Sequence, residues 1–140
     1  MKRMLFVGLV ALLSLGFVRA QPQAHPYRVV FDLTSRDTLD QKAVLRWIRE
    51  VATSRPDAQM EVVMYGKGFE LVLPDRSAFT ADVQEAMKNP NVAFKVCAIA
   101  LKNNNVDKAK LVSGVQTVPD GIYEIVSKQQ ENWGYIKVAH

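Results

Sequence analysis

Short apolar runs alternate along the chain with segments in which apolar residues recur at helical spacing. The runs are rich in valine and aromatic residues, and they predict five strands over residues 27–33, 60–65, 92–96, 115–118 and 134–138. Most positions in these runs are apolar, whereas a sheet with one wet face would show strict alternation. We therefore expect one α/β domain over residues 27–140, with a parallel sheet covered by helices on both sides.

The segments between the strands predict four helices. The first begins with a capping-box pattern at Thr38 and Gln41 and closes at residues 55–57. The second stops at residues 89–90, and a short third helix over residues 98–102 ends at three asparagines. The expected buried positions of the three longer helices are Val44, Trp47, Ile48 and Val51 in the first, Phe79, Val83, Ala86 and Met87 in the second, and Ile122, Ile125 and Val126 in the last.

The first twenty residues have the three parts of a secretory signal peptide. Lys2 and Arg3 precede an uncharged stretch over residues 4–18, and Val18 and Ala20 supply small residues before a cleavage site. A helix of that length rises about 22 Å, which is short of the ~30 Å hydrocarbon core. We expect a cleaved signal peptide over residues 1–20, with an uncleaved anchor as the alternative. Residues 21–26 form a flexible lead-in, and the mature chain is expected to be periplasmic or secreted, without a stable membrane span.

The balance of charge changes once this segment is set aside. The whole chain has 18 Lys and Arg against 14 Asp and Glu, but three of the basic residues lie in the leader, so the mature chain carries a net charge of only +1. No basic face remains to neutralise phosphates, which argues against nucleic acid as a partner. About 120 residues of ordinary apolar content suffice for one domain with its own core.

Cysteine and histidine are too few for a disulfide or a metal site. Cys97 is single and cannot form an internal bridge, while His25 and His140 lie at the two ends of the mature chain. The sequence therefore predicts no metal ion, no cofactor and no Ser-His-Asp triad.

The residues that follow the strands are the candidates for function. Carboxyl ends of parallel strands meet at one edge of a sheet, and ligands bind there, where the strand order reverses. The candidates at this edge are Thr34 and Ser35 after the first strand, Tyr65, Gly66, Lys67 and Gly68 after the second, Cys97 and Lys102 after the third, and Asp120 and Gly121 after the fourth.

Cys97 is the one nucleophile of consequence in this set, and it has two interpretations. A cysteine at a strand end that opens a helix lies near the positive end of the helix dipole, which favours the thiolate, and Lys95 or Lys102 would add to that field. Alternatively, Cys97 is a small buried hydrophobe, the commonest fate of a lone cysteine.

Two further motifs also have a structural interpretation beside the functional one. The Gly66-Lys67-Gly68 loop suggests phosphate binding, but it lacks the spacing of a P-loop and is not expected to open directly into a helix, so a tight turn explains it more simply. Asp120 is placed to act as an acid or base, yet an aspartate at a helix start is first a capping residue.

Several segments taken together resemble the DsrE/DsrF-like sulfur-relay family. They are the cysteine segment VCAIALK over residues 96–102 followed by Val106, the Gly-x-Gly turn at residues 66–68, the VPDGI segment from residue 118, and WGYI at residues 133–136. The resemblance covers nearly all of residues 27–138. It implies a three-layer α/β/α domain with a five-stranded, mainly parallel sheet that assembles into trimers or hexamers. It also implies that Cys97 accepts sulfane sulfur as a persulfide and passes it to a partner.

The leading hypothesis is therefore a small DsrE-like protein of the cell envelope with Cys97 as sulfur carrier and a sulfur donor or acceptor protein as partner. The alternative is a non-catalytic oligomeric module of the same fold, which binds a small ligand or is structural and buries Cys97. A hydrolase or transferase is disfavoured because no internal histidine and no phosphate motif are present. The pattern indicates at most a sulfurtransferase-like carrier.

Overall fold

A five-stranded parallel sheet forms the centre of the chain. The structure, a computed structural model, describes residues 26–139. The expected signal peptide and residues 21–25 of the lead-in lie outside the described residues. The strands are β1 (Arg28–Leu33), β2 (Gln59–Met64), β3 (Val92–Cys97), β4 (Gln116–Val118) and β5 (Gly134–Lys137), and all four pairings between neighbours are parallel. The predicted strands are confirmed within one residue at each end.

Four α-helices connect these strands. They are α1 (Thr38–Ser54), α2 (Thr80–Ala86), α3 (Ala98–Asn103) and α4 (Gly121–Gln130), with short 3₁₀ helices at Gly68–Val72 and Lys108–Lys110. The first 3₁₀ helix begins within the glycine loop, so the expectation that no helix opens directly from that loop was wrong. Among residues 26–139, no helix is long and apolar enough to cross a membrane.

The order of the strands places the helices on the two faces unequally. The order is β4-β3-β2-β1-β5, so the chain moves steadily from β1 to β4 and then returns across the whole sheet to β5. Because parallel crossovers are right-handed, α1, α2 and α3 cover one face and α4 covers the other. The expected three layers are confirmed, with a single α-helix as the third layer of the described chain.

The two faces of the sheet also differ in chemistry. The face towards α1 and α2 carries alternate apolar residues such as Phe31, Val62 and Phe94, which belong to the main core. The face towards α4 has a much smaller apolar cluster, formed by Val30, Val63 and Ile125. Asp32, Glu61 and Lys95 share the α4 face with that cluster, since side chains alternate along a strand.

Two local predictions about the helices were wrong. The cap of α1 is Asp37 rather than Thr38, because the carboxylate Oδ1 of Asp37 already accepts from the backbone N–H of Leu39 at 2.8 Å. In α4, Ile122 and Val126 are 59% and 46% exposed. The side of α4 that faces the sheet instead carries Gly121, Glu124, Ile125 and Lys128. Because this face of the sheet carries acidic and basic groups, the helix residues that pack on it include charged ones that form ion pairs with them.

Candidate functional site

An open cleft of about 260 Å³ lies at the carboxyl ends of β2 and β3. Four of the predicted site residues line it: Tyr65, Gly66, Cys97 and Asp120. The remaining walls are formed by Ile99, Ala100, Asn103, Asn104 and Ile122. The cleft therefore combines apolar side chains of α3 and α4 with amide, carboxylate and thiol groups.

Cys97 is one of the residues that line this cleft. It is the last residue of β3 and the N-cap of α3, with extended backbone angles of φ −66° and ψ 119°, and its side chain makes no capping hydrogen bond. The residue is only 5% exposed. Its register partner on β4 is Val118. The thiol is therefore largely covered but borders the cleft.

Gly121 covers Cys97 from the side of α4. A Cβ at position 121 would lie 3.1 Å from the Cβ of Cys97, 3.3 Å from Cγ1 of Val63 and 3.4 Å from the Cβ of Tyr65. The absence of a side chain therefore lets the first turn of α4 approach the cysteine closely. Asp120 fixes the same turn, because its Oδ1 accepts from the backbone N–H of Ile122 at 2.8 Å. The prediction of Asp120 as a helix cap is confirmed.

The glycine loop has a geometric explanation at both glycines. Gly66 has φ +57°, a left-handed conformation that favours glycine. A Cβ at Gly68 would lie 2.0 Å from the backbone oxygen of Leu33. Lys67 between them donates through Nζ to the side-chain oxygen of Asn104, on the cleft wall. The loop is thus a tight turn held against the end of β1.

Other predicted site residues lie outside the cleft. Thr34 accepts from Nζ of Lys137 at 2.8 Å, and Ser35 accepts from the backbone N–H of Asp37 at 2.9 Å. Lys102 is exposed and lines a separate hollow beside α3. The strand order accounts for Thr34 and Ser35, because β1 is separated from β3 by β2. The strand order reverses between β1 and β5, so the Cys97 cleft is not at the reversal point.

A buried carboxylate at that reversal point was missed from the sequence. Asp32 on β1 is 3% exposed and accepts from the hydroxyl of Tyr135 at 2.7 Å, from that of Tyr65 at 3.3 Å and from Nζ of Lys137 at 3.1 Å. The hydrogen bond to Asp32, together with burial, raises the pKa of Tyr135 to about 12. Burial and the Asp32 charge also raise the pKa of Tyr65. Asp32 thus anchors Tyr65, one wall of the cleft.

An ion cluster beneath α4 was also missed. Nζ of Lys95 lies 2.8 Å from Oε2 of Glu61 and 2.8 Å from Oε1 of Glu124, and Lys128 approaches the same two carboxylates at 3.9 and 3.8 Å. Two carboxylates thus balance the charge of Lys95, which was expected to act on Cys97. The Glu124–Lys128 pair at i,i+4 was the sequence signal that could have revealed the cluster.

The cluster changes the pKa values of its members in different directions. Burial raises the pKa of Glu61 to about 6, and Lys95 only partly offsets this effect. Burial opposes ionisation of Glu124 as well, but its hydrogen bonds with Lys95 and Glu61 outweigh burial and lower its pKa. Burial disfavours the charged form of Lys95, yet its hydrogen bonds to Glu124 and Glu61 raise its pKa overall.

The fold and the cysteine cleft define a small three-layer α/β protein. Residues 26–139 contain no group of three or more His, Cys, Asp or Glu side chains that could hold a metal ion. No protein-family model and no curated protein matches the chain.

Several solved structures are similar to this chain. MTH1491 from Methanobacterium thermoautotrophicum, a protein of unknown function, is 31% identical, with a TM-score of 0.74 over 79% of this chain and 98% of its own. The chain therefore belongs to the same family as MTH1491. BT1422 from Bacteroides thetaiotaomicron, a conserved protein of unknown function, and the ychN protein from E. coli are 13% and 12% identical. Each has a TM-score of 0.64 over 79% of this chain, covering 94% and 97% of their own chains respectively. At such identity these two establish the fold alone.

Proposed function

We propose that the chain is a DsrE/DsrF-like protein of the cell envelope that carries sulfane sulfur as a persulfide on Cys97. The observation that carries the proposal is the place of Cys97, at the end of β3 and in the lining of an open cleft. The resemblance of the cysteine segment and of the Gly66–Gly68 turn to that family supports the same role.

The proposed reaction needs no oxidant or reductant. The thiolate of Cys97 attacks the terminal sulfur of a donor persulfide or polysulfide, so that a new S–S bond forms and the donor S–S bond breaks. The electron pair of the broken bond leaves on the donor thiolate. In the second step an acceptor thiolate attacks the outer sulfur on Cys97, and the Cys97 thiolate is the leaving group. One sulfur atom moves in each step, and Cys97 is regenerated.

The walls of the cleft suit a carried sulfur. Ile99, Ala100 and Ile122 provide an apolar lining near Cys97, and sulfur is a soft, polarizable atom that packs well against apolar side chains. The low exposure of Cys97 limits contact with bulk water and with unspecific thiols. A donor would reach the cysteine through the cleft, which Cys97 helps to line.

Loading with inorganic polysulfide tests this proposal. Intact-mass measurement of the native protein should show the mass of one added sulfur atom, and Cys97→Ser should show none. Because Cys97 is the only cysteine, no second site can produce the signal. Absence of an adduct on the native protein, when the unfolded protein reacts with the same reagent, would overturn the proposal.

A second candidate function is favoured by the cover over Cys97. The residue is 5% exposed and lies directly against Gly121. In a non-catalytic binding or structural module of this fold, Cys97 would serve only as a small apolar side chain of the core. Polysulfide would then leave the native protein unmodified, while Cys97→Ala would leave ligand binding unchanged.

We also propose that the mature chain is exported and forms a homo-oligomer, a trimer or a hexamer. The exposed apolar residues of α4 support association, since Ile122, Tyr123 and Val126 are 59%, 73% and 46% exposed. Light scattering should give a mass of three or six chains, and a monomeric mass would contradict the assembly. Cell fractionation with N-terminal mass analysis should find a periplasmic chain that begins at Gln21. A cytoplasmic chain retaining Met1 would contradict export.

A further inference from the structure

The contact between α4 and the sheet combines a small apolar cluster with a group of charged side chains. The apolar part is centred on Ile125, which packs against Val30 and Val63. The rest is the ion cluster, in which Lys95 bridges the carboxylates of Glu61 and Glu124 at 2.8 Å each. The cluster is well shielded from water, since the Lys95 and Glu124 side chains are 16% and 19% exposed and that of Glu61 is 4% exposed.

One member of the cluster is poorly accommodated. The Glu61 atom Oε1 is buried and has no hydrogen-bond partner among the described residues. An ionised carboxylate in such a buried place costs free energy because it loses its hydration. Attraction to neighbouring positive charges offsets only part of that cost. The strength with which α4 is held against the sheet therefore depends on the ionisation of Glu61, Lys95 and Glu124.

The same helix covers Cys97. Glu124 follows Gly121 by three residues, so both lie on the side of α4 that faces the sheet. Gly121 is the residue that lies against Cys97 and against Tyr65 on the cleft wall. A movement of Glu124 away from Lys95 would therefore carry Gly121 away from Cys97.

We infer that Glu61, Lys95 and Glu124 are positioning residues that hold the first turn of α4 against Cys97 and so set how far reagents reach its sulfur. If Cys97 carries sulfur as proposed above, this control of access also regulates sulfur transfer, and only that consequence rests on the proposed function. The positioning itself can be tested without any sulfur donor.

The pH dependence of access has a definite sign. Burial raises the pKa of Glu61 to about 6 from an ordinary value of 4.5, and displacement of α4 would expose Glu61 and restore the ordinary value. Protonation of Glu61 therefore favours the covered arrangement, and Cys97 becomes more accessible as pH rises through about 6. The difference between the two pKa values limits this effect to about 30-fold.

Other charged groups share the surroundings of Glu61. Glu124 has a lowered pKa, so its protonation uncovers Cys97 only below the ordinary range of a glutamate. The charged groups on the elements packed around Glu61 are Lys95 on β3, Glu124 and Lys128 on α4, Glu131 following α4, and Arg28 and Asp32 on β1.

The rate of alkylation of Cys97 by iodoacetamide in the native protein measures this cover directly. Glu124→Gln keeps the size of the side chain and removes its charge. It should raise the rate about tenfold at constant pH, an effect between those of exposed and buried ion pairs. The matched control is Glu50→Gln, since Glu50 is 62% exposed and pairs with Arg46 on α1, and its rate should equal that of the wild type. Equal rates for Glu124→Gln and the wild type would overturn the inference.

A pH series provides a second test that does not depend on Glu124→Gln being well folded. The ratio of the wild-type rate to that of Glu61→Gln removes the pH dependence that the two proteins share. This ratio should rise as pH increases from about 5 to about 7.5, the range in which Glu61 ionises. A constant ratio would contradict the inference.

The two proposals fail in distinguishable ways. Altered alkylation with no persulfide on Cys97 would overturn sulfur carriage and support the positioning role of the cluster. Persulfide formation with unaltered alkylation would support sulfur carriage and overturn the positioning role of the cluster.

Discussion

The buried carboxylate of Glu61 predicts an unusual dependence of stability on pH. Its raised pKa means that the folded chain binds this proton more tightly than the unfolded chain does. The Glu61 contribution to the free energy of unfolding therefore falls as pH rises from about 4.5 through 6. Most structural carboxylates act in the opposite direction, since pairing usually lowers their pKa.

The size of the effect follows from the two pKa values. The difference between 4.5 and about 6 corresponds to at most about 2 kcal/mol. Solvent screening at the outer side of the cluster, where Lys95 and Glu124 are partly exposed, reduces this to about 1 kcal/mol between pH 5 and 7.5. Glu61→Gln removes the titrating group with little change of shape.

Urea unfolding at these two pH values checks the magnitude. Relative to the wild type, Glu61→Gln should gain about 1 kcal/mol on going from pH 5 to pH 7.5, a midpoint change of about 0.5 M. Glu50→Gln, on the exposed face of α1, should show no such gain. A loss for Glu61→Gln over the same interval would mean that Lys95 outweighs burial, and that the pKa of Glu61 is lowered rather than raised on folding.

Three further changes test the geometry around the cleft. Gly68→Ala places a Cβ 2.0 Å from the backbone oxygen of Leu33 and should lower the free energy of unfolding by about 3 kcal/mol; a thermal midpoint equal to the wild type would contradict this. Asp120→Ala removes the cap of α4 and should cost about 1 kcal/mol in urea unfolding, whereas Asp120→Asn should keep most of it; equal losses would refute the capping role. Asp32→Asn should shift the tyrosinate absorbance titration of Tyr135 from about 12 towards its ordinary value, and an unchanged titration would show that Asp32 is not the cause.

The strands were predictable because apolar runs of this length have few alternatives in an α/β chain. Residues 60–65 were assigned to a strand despite Glu61, and residues 92–96 despite Lys95. Which side of each helix faces the sheet was harder to predict. Hydrophobic periodicity assumes that a helix packs on an apolar surface, so it assigned Ile122 and Val126 to the buried side of α4.

The site was predictable only in part, for a topological reason. A parallel sheet brings strand ends to one edge, and this rule correctly joined Tyr65, Gly66, Cys97 and Asp120. It does not specify which strands are neighbours, so it also included Thr34, which lies one strand further from Cys97. Asp32 and Glu61 were missed because a single charge inside an apolar run has no local signature.

The fate of one sulfur atom on Cys97 tests sulfur carriage by this protein most directly. After loading with polysulfide and removal of excess reagent, the native protein should carry the mass of one extra sulfur. Addition of cyanide should remove that sulfur and yield one equivalent of thiocyanate. We expect this full cycle for the wild type and neither step for Cys97→Ser. A native protein that never gains the sulfur, although its Cys97 reacts once unfolded, would contradict sulfur carriage by Cys97.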